Sequence, residues 1–294
     1  MLGWSRAANV QSFSTRSVLE HADPSNWREH HFGLPLPRWK DLAGRAFWVT
    51  GAGTGYGRAI SLALGAAGAK VVLTGRREKM LRQTLQEGAS MGIVMDACVA
   101  VEADISDPSD IDRAIETLGR QVPCLDGLVN CAALPQPDCG PFPLTSQSLP
   151  EWIGLMKTNV TAQWLASRAC LPLMVKAARI RILFLSSEAG WASTPGFGPY
   201  NISKAALNSL GSSFAAECAA KYPSCDVQVN VLVPGEARTE MNRGSNISPF
   251  AAASMVLALL SHPSGGPNGR LFHRDGRHLA FACAEPYPKD LFAP

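Results

Sequence analysis

The stretch that decides the fold is Ala46-Phe47-Trp48-Val49-Thr50-Gly51-Ala52-Gly53-Thr54-Gly55-Tyr56-Gly57, followed by Arg58-Ala59-Ile60-Ser61-Leu62-Ala63-Leu64. The short apolar run, bounded by turn residues, reads as a buried strand, and the segment after Gly57 has helical spacing. Glycines permit positive φ and let the backbone come close to a bound group. The helix start behind them offers unpaired N–H groups and a partial positive charge. Strand, glycine turn and helix in that order are the context a phosphate-cradling turn requires; a glycine turn without it is a weak signal. Gly51, Gly53, Thr54, Gly55, Tyr56 and Gly57 are therefore candidate contacts to the pyrophosphate of a dinucleotide.

Downstream, Val71-Val72-Leu73-Thr74 reads as a second strand and runs into Gly75-Arg76-Arg77. A site for NAD commonly carries an acid here, to bond the ribose 2′-hydroxyl, whereas arginine suits a 2′-phosphate. NADP(H) is therefore expected over NAD(H), with Arg76 and Arg77 as candidate contacts. The plain alternative is an arginine pair facing water at a helix start. Residues 78–91 read as a helix, 98–102 as a third strand followed by Asp104-Ile105, and Asp107-Pro108 opens a helix running to Leu118. Residues 125–129 form a fourth strand, closed by Asn130-Cys131-Ala132-Ala133. A proline-rich loop over 134–150 leads into a long helix from Trp152 to Met174, with Asn159 inside it. An asparagine has no local advantage within a helix, which invites a tertiary role.

Ile180-Arg181-Ile182-Leu183-Phe184-Leu185 reads as the next buried strand, and Ser187 stands at its carboxyl edge, where open α/β sheets place their ligands. Tyr200-Asn201-Ile202-Ser203-Lys204 starts a helix running to about Tyr222, with the phenol and the ammonium one turn apart on one face. A free tyrosine ionises near pH ~10, and a fixed cation beside it favours the phenolate. Taken alone, such a pair is more often a solvated helix face. Val227 to Val233 forms a strand ending in Pro234-Gly235. Residues 236–248 are polar and irregular, a candidate lid. A short helix over Phe250–Leu260 and a last short strand, Leu271-Phe272-His273, complete the pattern. About six strands alternating with helices imply an α/β fold in one domain: a doubly wound parallel sheet covered on both faces.

The bulk properties fit this reading. The chain has 294 residues, 46% hydrophobic and 17% charged, with a net charge of +3. That balance allows a full core and gives no basic patch, so nucleic acid is not indicated. No apolar run approaches the ~18 residues of a membrane span. Cysteines stand at 98, 124, 131, 139, 170, 218, 225 and 283, with no C-x-x-C pair. Buried thiols in a reducing compartment are the economical reading, and no metal site is expected. The cytoplasm is the expected location. The alternative is mitochondrial, since residues 1–19 carry Arg6 and Arg16, several serines and no acid. The expected division is an N-terminal extension over 1–40, a dinucleotide-binding catalytic domain over 41–280, and a tail over 281–294. Trp27, Phe32 and Trp39, with Pro35 and Pro37, suggest that the extension packs as an extended arm, and His30-His31 reads as surface.

With these residues in view, the chain resembles the short-chain dehydrogenase/reductase family over roughly residues 41–280. Thr50-Gly51-x-x-x-Gly55-x-Gly57 resembles the family's cofactor turn, and Asp104 its acid beside the adenine. Asn130-Cys131-Ala132-Ala133 is similar to its Asn-Ala-Gly strand end, with Ala133 in place of the glycine. Asn159, Ser187, Tyr200 and Lys204 match its catalytic tetrad, and Pro234-Gly235 with Thr239 its nicotinamide-side turn. Tyr56 departs from the pattern, where a small aliphatic residue is usual. The resemblance implies a Rossmann-type sheet and hydride transfer between NADP(H) and a carbonyl or secondary alcohol. Tyr200 is then the general acid in reduction or the base in oxidation, and Ser187 positions the substrate oxygen. Lys204 binds the nicotinamide ribose and lowers the tyrosine pKa, and Asn159 holds a water. Ile105, Asn130 and Ala132 are counted with the cofactor contacts. A homodimer or homotetramer through the helices over 152–174 and 200–222 is implied as well. Trp152, Trp191, Phe197 and Met241 are candidates for an apolar substrate pocket. Two competitors are a cofactor-binding regulatory or scaffold protein without turnover, and a nucleotide-sugar epimerase of the extended branch. The intact tetrad speaks against the first. The spacing of the cofactor turn and the short chain after Pro234 speak against the second.

Overall fold

The computed structural model describes residues 24–135, 143–192 and 195–279. Within them, seven parallel strands form one sheet: β1 (Ala46–Thr50), β2 (Lys70–Gly75), β3 (Val99–Glu102), β4 (Gly127–Asn130), β5 (Arg179–Leu185), β6 (Asp226–Val233) and β7 (Leu271–His273). Their spatial order is β3-β2-β1-β4-β5-β6-β7. The winding reverses between β1 and β4, which opens a crevice beyond their carboxyl ends. The register places Thr50 opposite both Thr74 and Asn130, so the ends of β1, β2 and β4 lie level at the crevice.

The helices are α1 (Trp27–His30), α2 (Leu36–Asp41), α3 (Gly55–Ala66), α4 (Glu78–Ser90), α5 (Pro108–Gln121), α6 (Leu149–Met156), α7 (Ala162–Lys176), α8 (Gly198–Lys221) and α9 (Ala253–Leu260). Strand β1 is buried along its whole length. Its alternation divides the core, as the two-residue period of a strand requires. Phe47 and Val49 join a cluster with Ile60 and Leu64 of α3 and Val256 and Leu260 of α9. Ala46 and Trp48 join a second cluster with Leu118 of α5, Cys170 of α7 and Phe214 of α8. Both faces of the sheet are therefore covered, which accounts for the continuous apolar runs of β1, β2 and β4.

Three expectations change in detail. The last short strand expected at Leu271–His273 is present as β7, paired with β6 from Val231↔Leu271 to Val233↔His273, so the count is seven rather than about six. Residues 24–41 pack as short helical turns, not as an extended arm. The prolines sit where helices tolerate them: Pro35 immediately precedes α2, and Pro37 falls in its first turn. Phe32 is fully buried and stacks on Phe250 with ring centres 5.6 Å apart. Arg38 donates to the carbonyls of Ala258 and Ser261 at the end of α9. Phe32, Leu34 and Trp39 thus belong to the cluster built by α3 and α9. The long central helix starts earlier than expected, at Leu149, and is interrupted between α6 and α7 by a π-turn over Lys157–Thr161. The acid-poor start, the 281–294 tail, Cys139 and Cys283 lie outside the described residues.

Candidate active site

The turn after β1 is shaped by close backbone approaches. Gly51 has φ +67°, and a Cβ on it would stand 2.8 Å from the Ala132 backbone at the end of β4. A Cβ on Gly57 would overlap the carbonyl of Gly51. Both positions therefore require glycine. Thr50 Oγ1 accepts from the N–H groups of Cys131 and Ala132 at 3.1 and 3.2 Å, tying the β4 end to the turn. Arg58 donates to Gly53 O at 3.1 and 2.6 Å and pairs with Glu87 at 3.2 Å, which fixes the outer limb. The start of α3 is left facing a cleft of about 990 Å³.

That cleft collects most of the expected residues. Gly51, Gly53, Thr54, Gly55, Tyr56, Gly57, Arg76, Arg77, Asp104, Ile105, Ala132, Ser187, Tyr200, Lys204, Pro234, Gly235 and Thr239 all line it. Asn130 and Asn159 do not: both are fully buried behind its wall. Asn130 donates to Ser167 Oγ of α7 at 3.0 Å. Asn159 sits in the π-turn, where its amide accepts from Leu134 N at 2.7 Å and donates to Leu134 O at 3.2 Å and to Ser203 Oγ at 3.1 Å. Ser203 in turn donates to the carbonyl of Tyr200 at 2.7 Å. The side chain of Asn159 therefore braces the strand-end loop against the tyrosine helix. Asp104 caps its own turn by accepting from Ser106 N at 2.9 Å.

Tyr200 and Lys204 lie on the first turns of α8, with the ammonium 5.6 Å from the centre of the phenol ring. Ser187, just past β5, hydrogen-bonds the phenol. Its Oγ also accepts from Ala189 N at 3.2 Å. Lys204 is buried and donates to Leu185 O at 2.9 Å. The electrostatics correct one expectation. Burial pushes Tyr200 up to about 12, against the pull of the Ser187 hydrogen bond. Burial likewise brings Lys204 down to about 8, partly offset by Cys131. Desolvation opposes both charged forms and is the larger cause at each group. The phenol is thus held protonated at neutral pH.

Tyr56 lies half-buried in the glycine turn and donates to Gly235 O at 2.7 Å. One phenol thereby joins the turn after β1 to the turn after β6, and burial raises its pKa well above the ordinary tyrosine value. Sequence reasoning missed several cleft residues. Glu188 follows Ser187 and reaches His273 Nε2 at 3.5 Å, and His273 Nδ1 lies 2.9 Å from Asp275. Glu240 and Arg243 come from the expected lid. Only their membership in that polar segment pointed to them. Trp191, Phe197 and Met241 are each partly exposed, and Phe197 and Met241 line the cleft, whereas Trp152 and Trp191 do not.

The residues present fit a bound dinucleotide: a glycine cradle closed to side chains, a helix start above it and two arginines at the far end. The comparisons agree. A family model for short chain dehydrogenases matches residues 45–248. A 3-oxoacyl-[acyl-carrier-protein] reductase of Aquifex aeolicus is 29% identical over 251 residues, covering 80% of this chain and 97% of its own. A solved short chain dehydrogenase of Salmonella enterica aligns with TM-score 0.72 and 27% identity, over 82% of this chain and 99% of its own. A solved structure from Escherichia coli, described as a short chain dehydrogenase complexed with NADPH, aligns with TM-score 0.70 and 27% identity, over 80% of this chain and 98% of its own. With a doubly wound sheet, a glycine cradle at its switch point and a family match over most of the chain, this protein belongs to the short-chain dehydrogenase/reductase family of oxidoreductases.

Proposed function

We propose that this chain is an NADP(H)-preferring oxidoreductase that interconverts a carbonyl compound and its secondary alcohol, with Tyr200 as the acid–base group. The observation that carries the reading is the Tyr200 phenol, half-buried, held protonated and hydrogen-bonded to Ser187 beside the buried Lys204. When bound, the nicotinamide supplies or accepts the hydride. The chain's own part is geometry and proton transfer. In reduction, Ser187 Oγ orients the substrate carbonyl oxygen. The Tyr200 O–H then gives its proton to that oxygen as the carbonyl carbon gains the hydride. A phenol kept protonated by burial is suited to the donor role in reduction, and the phenolate is the matching base for oxidation. Lys204, close to the tyrosine ring, is placed to bind the nicotinamide ribose and to steady the phenolate left behind. Asn159, from behind the wall, fixes the Tyr200 turn through Ser203; a water at its backbone belongs to the same reading.

Arg76 and Arg77 at the end of β2 support the choice of NADP(H), as does the NADPH complex of the Escherichia coli neighbour. Asp104, Ile105 and Ala132 take the adenine side and the cleft floor, and Pro234, Gly235 and Thr239 the nicotinamide side. The substrate is a small molecule entering past Phe197 and Met241, whose exposed apolar surface suits an alicyclic or aromatic ketone. The proposed location is the cytoplasm, consistent with free thiols at Cys98, Cys124, Cys131, Cys170, Cys218 and Cys225. The proposed assembly is a homodimer or homotetramer through α6, α7 and α8. Fluorescence titration with NADPH and NADH, on wild type and Arg76→Ala, tests the cofactor reading. NADPH should bind at least about tenfold tighter, and Arg76→Ala should remove most of that margin. Tighter NADH binding would overturn the choice of cofactor.

A further inference from the structure

At the far end of the cleft, Arg77 is engaged from the opposite wall. Its Nη1 and Nη2 donate to Glu240 Oε1 and Oε2 at 3.2 and 2.7 Å, across 163 residues of sequence. Glu240 stands at the tip of a tight turn. Thr239 N donates to Asn242 O at 3.1 Å, and Asn242 N returns a bond to Thr239 O at 3.2 Å. Asn242 N also reaches Thr239 Oγ1 at 3.1 Å. The turn rests on the glycine loop: a Cβ on Gly55 would stand 3.1 Å from Thr239 Cγ2. The carboxylate is thus held on a stiff support that already touches the cofactor cradle. The ion pair bridges the cleft from the 236–248 segment to the end of β2. A fork-on-fork pair satisfies both carboxylate oxygens and both guanidinium donors. Arg77 and Glu240 keep 56% and 49% of their side-chain surface in water, so the pair is screened and can be displaced.

We propose that Glu240 is a specificity-determining residue for the cofactor: its carboxylate occupies the fork of Arg77, competes there with a ribose 2′-phosphate, and sets the ratio of phosphorylated to unphosphorylated dinucleotide binding. The inference rests on the NADP(H) reading of Arg76 and Arg77. A phosphate monoester carries a charge of roughly −1.5 to −2 at neutral pH. To reach Arg77 it must displace Glu240 or sit beside a like charge. An unphosphorylated ribose incurs neither cost. Arg76 has no such bond to Glu240, so the phosphate keeps one reader while it contests the other. The discrimination is therefore smaller than the two arginines alone would give.

The test is calorimetric titration of NADPH, NADH and adenosine 2′,5′-bisphosphate on wild type, Glu240→Gln, Arg77→Gln and the double variant. Glu240→Gln should tighten NADPH and the bisphosphate about fivefold and raise the NADPH-to-NADH affinity ratio by the same factor. In the Arg77→Gln background that gain should vanish. An unchanged or falling ratio in Glu240→Gln overturns the proposal, as does a gain that persists without Arg77. Melting temperatures confirm that all variants are folded. The wild-type ratio judges the cofactor reading separately. A wild type that prefers NADPH, with no change in Glu240→Gln, removes the competition alone. A wild type without preference that acquires one in Glu240→Gln supports the competition outright. A wild type and a Glu240→Gln variant that both lack preference overturn the reading and the competition together.

Discussion

Burying Lys204 to 3% exposure leaves its ammonium, among the described residues, one protein oxygen within hydrogen-bond reach, Leu185 O at 2.9 Å. Desolvation lowers its pKa from 10.5 to about 8. Between these values the unfolded chain binds more protons than the folded one, so stability rises with pH from about 8 to 10.5. Tyr200 acts in the opposite sense at higher pH. Its phenol, pushed up to about 12 from 10, keeps its proton in the fold and loses it in the unfolded chain, so stability falls through that window. Lys204→Met removes the buried cation but leaves Leu185 O unpaired. The variant should therefore be more stable than wild type at pH 7, by about 1–3 kcal/mol, with the difference vanishing by about pH 10.5. Denaturant unfolding at several pH values measures it, and a gain independent of pH would contradict the burial argument. The site thus carries a stability cost at a position that the proposed chemistry needs.

At the scale of elements, the π-turn Lys157–Thr161 between α6 and α7 is what separates Asn159 from an ordinary helical asparagine. The wider turn brings its amide to Leu134 and Ser203, so three hydrogen bonds tie the β4 end, the central helix and α8 together. Asn159→Ala leaves Leu134 N and O without these partners. It should cost about 2–3 kcal/mol of stability by chemical denaturation and lower kcat more than cofactor affinity. A stability within 0.5 kcal/mol of wild type, roughly the scatter of surface substitutions, would show that the loop holds itself. Much of this layer was legible in the sequence. Strands β1, β2 and β4 showed as apolar runs because both faces of the sheet are covered, whereas β5 and β6 carry Arg181, Gln228 and Asn230 and were read from their remaining β-branched and apolar residues. The glycine turn and Tyr200 with Lys204 were legible because their chemistry is local. The π-turn was not, since one extra residue in a helical turn leaves no mark on an apolar pattern already made irregular by Asn159 and Gln163. Residues 24–41 were misread for a related reason. Their turns are too short to show a period, and Phe32 is buried by Phe250, a contact made across the fold. The pair Arg77–Glu240 is equally long-range, joining two polar segments that each read as solvent-facing.

For the whole molecule, the two clusters that sandwich the sheet use most of the large apolar side chains, yet some stay outside. Leu149 and Ile153 of α6 are 68% and 52% exposed, Trp164 of α7 37%, and Ile202 of α8 38%. Apolar surface spread over consecutive helices is the kind that a second copy of the chain covers. Light scattering after size exclusion should return two or four times the 31.4 kDa of one chain. Trp164→Lys with Ile153→Asp should shift the distribution to monomer, and a monomeric wild type would remove the assembly from the account. The sheet itself places the chemistry. Its order changes direction between β1 and β4, so the glycine turn, the β4 end, Ser187 and the 234–235 turn all meet at one edge. Fold and site were thus read together, whereas the outer cleft wall, which comes from Phe197, Glu188 and the 236–248 segment, depends on loops whose path no local pattern dictates.

The central claim is that Tyr200 delivers the proton, and it is tested most directly by turnover of NADPH against a panel of cyclic and aromatic ketones with Tyr200→Phe beside wild type. The expected result is loss of about 10²–10⁴-fold in kcat with NADPH affinity kept within about threefold, since the phenyl ring retains the packing and lacks only the proton. A Tyr200→Phe variant that turns over at the wild-type rate on any substrate accepted by the wild type would contradict the assignment.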